Sequence, residues 1–138
     1  MTMRKEHPFD FEKWNQYLTG VAGHRVVWKS VDDSSMEHPQ YDPQMYELAK
    51  AFEWSDYYDR NYDRTLRQHD HRELSEDQLE ELARTSDNFR DLRAVVSVII
   101  HGESRLEGMW AAMLEKGILL RLLVRLEKLT PGDFPEQY

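Results

Sequence analysis

Cysteine is absent from this 138-residue sequence, so the chain can form no disulfide and has no thiolate for catalysis or metal binding. A chain without disulfides suits a reducing compartment, and we expect the protein to be cytoplasmic. The N-terminal segment lacks the apolar stretch of a secretory signal. The longest apolar runs are too short and too often interrupted to span a bilayer, so we expect no membrane partner.

Basic residues are scarce in the middle of a chain whose net charge is −8. Residues 32–91 contain seven Lys and Arg against seventeen Asp and Glu, a net of −10, whereas residues 1–31 carry +2 and residues 92–138 are neutral. Non-specific binding to nucleic acids depends on Lys and Arg that neutralise phosphates, so we expect no direct nucleic-acid binding. A charged partner should instead be a protein with a basic surface.

The stretch Asp91–Leu129 carries the densest apolar side chains and predicts three consecutive helices. Phe89, Leu92, Val96 and Ile99 recur at the three- and four-residue steps of one helical face. The many β-branched residues of this first segment leave a buried strand as the alternative. We prefer a helix because the periodicity begins upstream of the β-branched run.

Turn signals divide this stretch into its three helices. Gly102 fits a helix end that needs a left-handed residue, and Ser104–Glu107 has the residue types of a capping box for the second helix. Gly117 ends that helix, and the third helix, Ile118–Leu129, is apolar around most of its circumference. Such a helix is buried within its own domain or in the seam of a homodimer, and the sequence leaves both open.

The rest of the chain predicts shorter elements. We expect a first helix after Asp10 and a short β-hairpin near Val26–Tyr41. Asp42-Pro43 has the residue types of a helix start, with a capping aspartate before a proline. Further helices should begin near Ser55 and at Ser75–Gln78, the latter with a capping box.

These elements predict a mostly α protein, a single compact bundle of about five or six helices with one short hairpin. One domain should span residues 1–138. Within it, residues 1–41 form the N-terminal helix and hairpin, residues 42–129 form the helical core, and residues 130–138 form a tail. The C-terminal helix should lie at the centre of the bundle.

The acidic middle third is the clearest functional signal. In a helix that begins near Ser55, Asp56, Asp59 and Asp63 would lie on one side, at a spacing that roughly echoes neighbouring phosphates. Such a face can occupy the basic nucleic-acid groove of another protein. The alternative is an ordinary solvated surface, because interspersed arginines can pair with these carboxylates at four-residue spacing. The predicted partner-binding residues are Asp56, Asp59, Asp63, Asp70, Glu73, Glu76, Asp77, Glu80 and Glu81.

A second cluster lies at the turn His101-Gly-Glu-Ser-Arg105. His101 and Glu103 could act as acid and base while Arg105 grips a carboxylate or phosphate, with Trp110 nearby. The structural alternative is stronger, because Glu107 suits a capping box and a histidine is a favourable cation at a helix C-terminus. The cluster also lacks a nucleophile with a matching base, so we predict no catalytic residues.

The segment His69-Asp70-His71, followed by Glu73, offers imidazole and carboxylate groups that could bind a metal. Metal sites need three or four convergent ligands with an ordered second shell, and only a polar loop is visible here. We therefore predict no metal and no cofactor. The aromatic residues Trp54, Tyr58 and Tyr62 are more typical of core packing than of a stacking platform for bases, because their neighbours are mainly acidic.

Several motifs between Leu92 and Leu129, with two upstream, carry a resemblance to a known family. They are His101-Gly-Glu-Ser-Arg105, Leu106-Glu-Gly108, Ala111-Ala-Met-Leu-Glu-Lys-Gly117, the helix Ile118–Leu126, the helix start Tyr41-Asp-Pro43 and the junction Phe52-Glu-Trp54. In these motifs the chain resembles a family of small bacterial, plasmid and phage proteins catalogued as domain of unknown function 6508. The resemblance implies a mostly helical fold, but it brings no assigned chemistry and no catalytic residues.

The preferred functional hypothesis is a non-enzymatic interaction protein that docks its acidic middle on a basic partner. The occurrence of the resembled family in mobile elements suggests an inhibitor that occupies the nucleic-acid-binding surface of a host defence protein, as anti-CRISPR proteins do. The alternative is a small enzyme or ligand-binding domain that uses the turn His101–Arg105.

Overall fold

The structure, a computed structural model, describes residues 7–30, 36–71 and 74–135. Within these ranges the chain forms seven helices and one pair of strands, so the predicted mostly α fold with an N-terminal hairpin is confirmed, with more helices than expected. In chain order the elements are α1 Phe11–Val21, β1 Val27–Lys29, β2 His38–Gln40, α2 Pro43–Trp54, α3 Tyr62–Gln68, α4 Glu76–Thr85, α5 Phe89–Gly102, α6 Met109–Glu115 and α7 Ile118–Leu129.

The hairpin lies on the helices rather than standing alone. β1 and β2 pair antiparallel with Trp28 opposite Pro39, and the residues predicted to turn between them lie outside the described ranges. The Trp28 ring reaches the backbone of Gly108, where a Cβ would meet it at 2.9 Å. A two-stranded ribbon is marginal by itself, so this contact with the helical part helps to hold it in place.

The two apolar helices α5 and α7 form the centre of the core. α7 packs against α1, α4, α5 and α6, while α5 packs against α2, α3, α4, α6 and α7, so the central position predicted for α7 is shared with α5. Leu119, Leu122 and Leu126 of α7 are fully buried within the chain. The apolar character of α7 is therefore accounted for by one chain, and a homodimer stays a prediction without support from this burial. Across the described residues no helix has the length and hydrophobicity needed to cross a membrane.

Local signals at three helix starts were read correctly. Asp10 caps α1 by accepting a hydrogen bond from the Lys13 amide at 3.1 Å. Pro43 occupies the first position of α2, but Asp42 does not cap the helix with its side chain, which instead accepts a hydrogen bond from the Tyr17 hydroxyl at 3.2 Å. At α4 the predicted capping box is present, because the side chains of Ser75 and Gln78 each accept a hydrogen bond from the other residue's backbone amide.

The predicted helix from Ser55 is wrong. α2 ends at Trp54, residues 55–61 are irregular, and α3 begins only at Tyr62. The reason is Arg93 on α5. Its guanidinium donates hydrogen bonds to three backbone carbonyls of this segment, those of residues 56, 57 and 58, at 2.9 to 3.3 Å. Carbonyls that point at a guanidinium cannot accept the bonds of a helix, so a distant residue overrides the local pattern.

The predicted capping box at Ser104–Glu107 is also wrong. Ser104 donates its hydroxyl to the His101 carbonyl at 2.8 Å, and Gly108 stands before α6 with a positive φ of 96°. Glu103 caps α6 instead. Leu106, predicted to face inward, is 64% exposed.

The two glycines of this region differ from each other. Gly117 has the left-handed backbone expected of a helix end, with φ 68°. Gly102 was expected to be left-handed too, but it is the last residue of α5 and has no positive φ. A Cβ at this position would overlap the Met109 sulfur, so any other residue would require the Met109 side chain to move.

Candidate functional site

The predicted acidic face is divided by the fold. Asp56 accepts a hydrogen bond from the His7 amide at 2.8 Å. Asp59 accepts from the Asn61 amide at 2.9 Å and from the Thr65 hydroxyl at 2.8 Å. Both carboxylates therefore hold the irregular segment 55–61, and neither lies on a helix with Asp63, the exposed carboxylate of α3.

The carboxylates of α4 mostly face cations of the same molecule. Glu76 pairs with Lys116, and Glu80 pairs with Arg121 on α7. Just after α4, Asp87 lies 2.8 Å from the Arg125 guanidinium. We call these three pairs the α4–α7 ladder. The hydrogen bond to Glu76 is the chief cause that raises the pKa of the Lys116 ammonium.

Four carboxylates remain on the outside of α3, the following loop and α4. Asp63, Asp70 and Asp77 are exposed, and within the described ranges their side chains make no hydrogen bond or ion pair. Glu81 pairs only with Arg84 one turn further along α4, an exposed pair of small energetic value. We call these four residues the outer carboxylates. Glu73 lies outside the described residues.

The turn from His101 to Arg105 does not assemble a catalytic set. Glu103 accepts hydrogen bonds from the amides of Gly108 and Trp110, both at 2.9 Å, and so caps α6. Burial, followed by a hydrogen bond to Glu103, raises the pKa of Tyr41. His101 is exposed at the end of α5. Glu103 therefore has a structural role that leaves it unsuited to act as a base.

Two other residues of this predicted cluster also contact different parts of the fold. The Trp110 indole is buried and donates to the Ile99 carbonyl at 2.9 Å, as a core residue does. Arg105 points elsewhere and donates to the Tyr62 hydroxyl at 3.0 Å. Arg105 lines a concave surface.

That surface is a cleft of about 480 Å³ between α3, the loop after it, α5 and the start of α6, which we call the α3–α5 cleft. Arg67, His71 and Arg105 bring positive or potentially positive charge to it, and Asp63 brings one carboxylate. The remaining lining residues are Tyr62, Leu66, Leu74, Val98, Gly102, Leu106 and Met109.

One edge of the cleft is built on a buried carboxylate. Asp91, in the first turn of α5, is 6% exposed. His69 Nδ1 contacts one of its oxygens, and His71 Nε2 lies 3.2 Å from the other. A buried carboxylate needs such partners, and in return it fixes both imidazoles. His71 thereby stands at the edge of the cleft.

The two histidines were predicted to lie in a solvated loop, whereas the structure ties both to the helical core through Asp91. In the described ranges no group of three or more His, Asp or Glu side chains is arranged to hold a metal ion.

Sequence reasoning missed Asp91, Tyr62 and Arg67 as members of a common site. Asp91 is about twenty residues from the histidines along the chain, so no local motif joins them. One signal was available, because a carboxylate among the apolar residues at the start of a buried helix needs a polar partner when it is buried with them.

Comparison with known protein families places these elements in context. The model of a family of unknown function, DUF6508, matches residues 29–132. The chain belongs to the DUF6508 family. The matched range runs from β1 to just beyond α7 and includes the residues of the α3–α5 cleft. Neither a curated protein nor a solved structure matches the chain, so the family assignment supports the fold and brings no chemistry with it.

Proposed function

We propose that this DUF6508 protein acts by binding rather than by catalysis, and that it docks its outer carboxylates on the basic surface of a partner protein. The observation that carries the proposal is that Asp63, Asp70 and Asp77 make no ion pair with any residue of the described part of the chain. A charge that already has a partner in its own fold must lose that partner to bind another. An exposed carboxylate without such a partner gives up only its bound water when it binds another protein.

The dispersal of the His101 cluster supports binding over catalysis. A general base must reach the proton that it removes, and Glu103 is held by two backbone amides. The Ser104 hydroxyl donates to a carbonyl of the preceding helix, so it lacks a base that could make it a nucleophile.

The charge pattern also suggests the kind of partner. Asp77 and Glu81 stand one turn apart on α4, about 6 Å along the axis, while Asp70 lies in the loop between α3 and α4 and Asp63 in the first turn of α3. Basic nucleic-acid-binding grooves accept negative charges at comparable intervals. We therefore propose that the protein occupies the nucleic-acid-binding surface of a basic partner, such as a defence protein inhibited by a mobile element.

The experiment uses two variants that change the net charge equally. Asp70→Asn/Asp77→Asn/Glu81→Gln neutralises three outer carboxylates. Asn tolerates the positive φ of 61° at Asp70, so the backbone is preserved. The control E37Q/E47Q/E53Q neutralises three exposed carboxylates on other elements. Both variants and the parent are used to capture proteins from the native host, and each captured protein is purified for binding measurements.

We expect a captured basic protein to bind the parent and the control alike. The outer-carboxylate variant should bind it at least tenfold more weakly, with a shallower dependence of affinity on salt. The parent should also displace DNA or RNA from this partner. If the two variants bind the partner with equal affinity, the proposal fails. If nucleic acid and the parent bind the partner together, the proposed inhibitory role fails.

A further inference from the structure

We propose that the α3–α5 cleft is a binding site for a small amphiphilic anion, a molecule with a carboxylate or phosphate head and an apolar body. This site adjoins the outer carboxylates, because Asp63 belongs to both, but the proposal does not depend on the function proposed above. The geometry assigns the head group to Arg105 and the apolar body to the wall formed by Leu66, Val98 and Met109.

Arg105 is the group that fits an anionic head. Its guanidinium has five N–H donors in a fixed fork, and one nitrogen, Nη1, donates to the neutral Tyr62 hydroxyl at 3.0 Å. Within the described ranges it has no carboxylate partner. Tyr62 is itself 8% exposed, so this hydrogen bond anchors the guanidinium on a buried ring. An oriented guanidinium with unused donors is suited to bidentate contact with a carboxylate or phosphate.

His71 is another polar group in the lining of the cleft, and it is held in place. Its amide donates to the Leu66 carbonyl at 2.7 Å, and its Nε2 contacts Asp91. When Nε2–H donates to Asp91, a neutral ring presents Nδ1 as an acceptor, so the preference of the cleft for an anion comes from the arginines. Arg67 adds a second guanidinium to the rim, also without an ion-pair partner in the described chain.

The floor of the cleft is apolar and largely preformed. Leu66 is 4% exposed, and Val98 and Met109 are half-buried in the walls. Gly102 leaves room for Met109, because a side chain at that position would overlap the Met109 sulfur. A volume of about 480 Å³ falls within the usual range of small-molecule pockets.

A second cleft shows why cations alone do not identify the site. It lies between α1, α4 and α7, has a volume of about 680 Å³, and also combines arginines with apolar residues. Its arginines are occupied, however, because Arg121 pairs with Glu80 and Arg125 pairs with Asp87. An anion there would have to compete with an internal carboxylate, whereas at Arg105 it would meet only a neutral hydroxyl.

Asp63 provides an internal check on this assignment. It lines the α3–α5 cleft together with Arg67 and Arg105, and its carboxylate opposes the binding of any anion. Removing that charge should therefore tighten the binding of an anionic ligand, while removing the Arg105 charge should weaken it. A merely structural role of these side chains would not give effects of opposite sign.

The test is isothermal titration calorimetry of the full chain with ligands that separate head from body. The anionic probes are decanoate, a naphthoate and decyl phosphate, used below their aggregation concentrations. Decanol lacks the charge, acetate lacks the apolar body, and decyltrimethylammonium reverses the charge. We expect one anionic probe per chain to bind more tightly than these three controls, and affinity in a fatty-acid series to rise about fourfold per methylene until the cleft is full.

Three substitutions then locate the site. Arg105→Gln should weaken binding of the tightest anionic probe about tenfold or more, the usual worth of a charged hydrogen bond. Asp63→Asn should tighten it by about two- to fivefold. Lys128→Gln, which removes a cation from the α1–α4–α7 cleft, should leave it unchanged. Thermal unfolding of each variant confirms that it is folded.

The proposal is overturned if no anionic probe binds at millimolar concentration, or if decanol binds as well as decanoate. It is also overturned if Lys128→Gln weakens binding, since the ligand would then occupy the other cleft. Should Arg105→Gln fail to fold, Asp63→Asn decides the matter, because unchanged affinity in that variant excludes the assignment. The affinities for decanoate and for decyl phosphate show whether the site prefers a carboxylate or a phosphate head group.

Discussion

The α1–α4–α7 cleft and the α3–α5 cleft contain similar residues but use their charges differently. In the first, Arg121 and Arg125 of α7 pair with carboxylates on α4 or just after it, and these ion pairs link α4 to α7. In the second, Arg105 is held by a neutral hydroxyl. The number of charges is therefore a poor guide to function in this protein. What distinguishes the clefts is whether each charge already has a partner in the fold.

The acidic residues show the same difference. Asp56 and Asp59 hold an irregular segment, and Glu76 and Glu80 hold α4. The strongly negative middle of the sequence is thus partly a set of internal contacts, whereas Asp63, Asp70 and Asp77 make no such contact among the described residues.

The largest effect on stability is expected from a buried residue of α7. Leu122→Ala removes a side chain that is 0% exposed and should lower the free energy of unfolding by about 2–5 kcal/mol, measured by urea denaturation. Val124→Ala on the same helix, where the side chain is 47% exposed, is the control and should cost about 0.5 kcal/mol or less. A small loss at Leu122 would mean that α7 is not the core helix described.

Arg93→Ala tests the guanidinium that orders the segment 55–61. Three carbonyls lose their donor, so the free energy of unfolding should fall by about 1.5–3 kcal/mol. Hydrogen exchange in that segment should accelerate at the same time. Arg64→Ala on the exposed side of α3 serves as the comparison. Equal and small effects of the two substitutions would contradict the role assigned to Arg93.

A buried carboxylate should matter more than an outer one. Asp91→Asn disturbs the contacts with His69 and His71 and should cost about 1–3 kcal/mol of unfolding free energy. Asp70→Asn changes an exposed carboxylate without a side-chain partner in the described chain and should cost about 0.5 kcal/mol or less. If both variants unfold at the same denaturant concentration, the distinction between paired and outer carboxylates is not supported.

Raising the pH above 10 should lower stability through the half-buried hydroxyls of Tyr17 and Tyr41, and not through the outer carboxylates. Burial raises the pKa of Tyr41 above its usual 10.0, and burial, with Asp42 beside it, raises the pKa of Tyr17 to about 12. Because the unfolded chain loses these protons first, the stabilisation is complete below pH 10 and is lost as pH rises through the folded pKa values. Tyr41→Phe should flatten the fall in stability between pH 10 and 12. An unchanged slope would exclude Tyr41 as its cause.

Features encoded by neighbouring residues could be predicted, and features encoded by distant ones could not. The α2 start at Pro43 and the capping box of Ser75 and Gln78 use atoms a few residues apart. The hairpin and the buried face of α2 follow equally from local periodicity. In contrast, the irregular segment 55–61 depends on Arg93, more than thirty residues later.

The candidate site shows the same limit. Arg105 could be singled out from its turn, but its partner Tyr62 lies forty-three residues earlier. The choice of Glu103 over Glu107 as the cap of α6 depends on the path of the turn, and Glu107 instead contacts His38 on β2. Whether a charge is paired is a property of the fold, so sequence alone could not separate the outer carboxylates from the α4–α7 ladder.

The most direct measurement compares two triple variants of equal net charge. Glu76→Gln/Glu80→Gln/Asp87→Asn removes the α4–α7 ladder, and D70N/D77N/E81Q removes outer carboxylates. We expect the ladder variant to lose unfolding free energy, by the modest amount that exposed ion pairs contribute, and to keep its affinity for the captured partner, while the outer variant keeps its stability and loses affinity. Equal effects of the two variants on both stability and affinity would contradict the account.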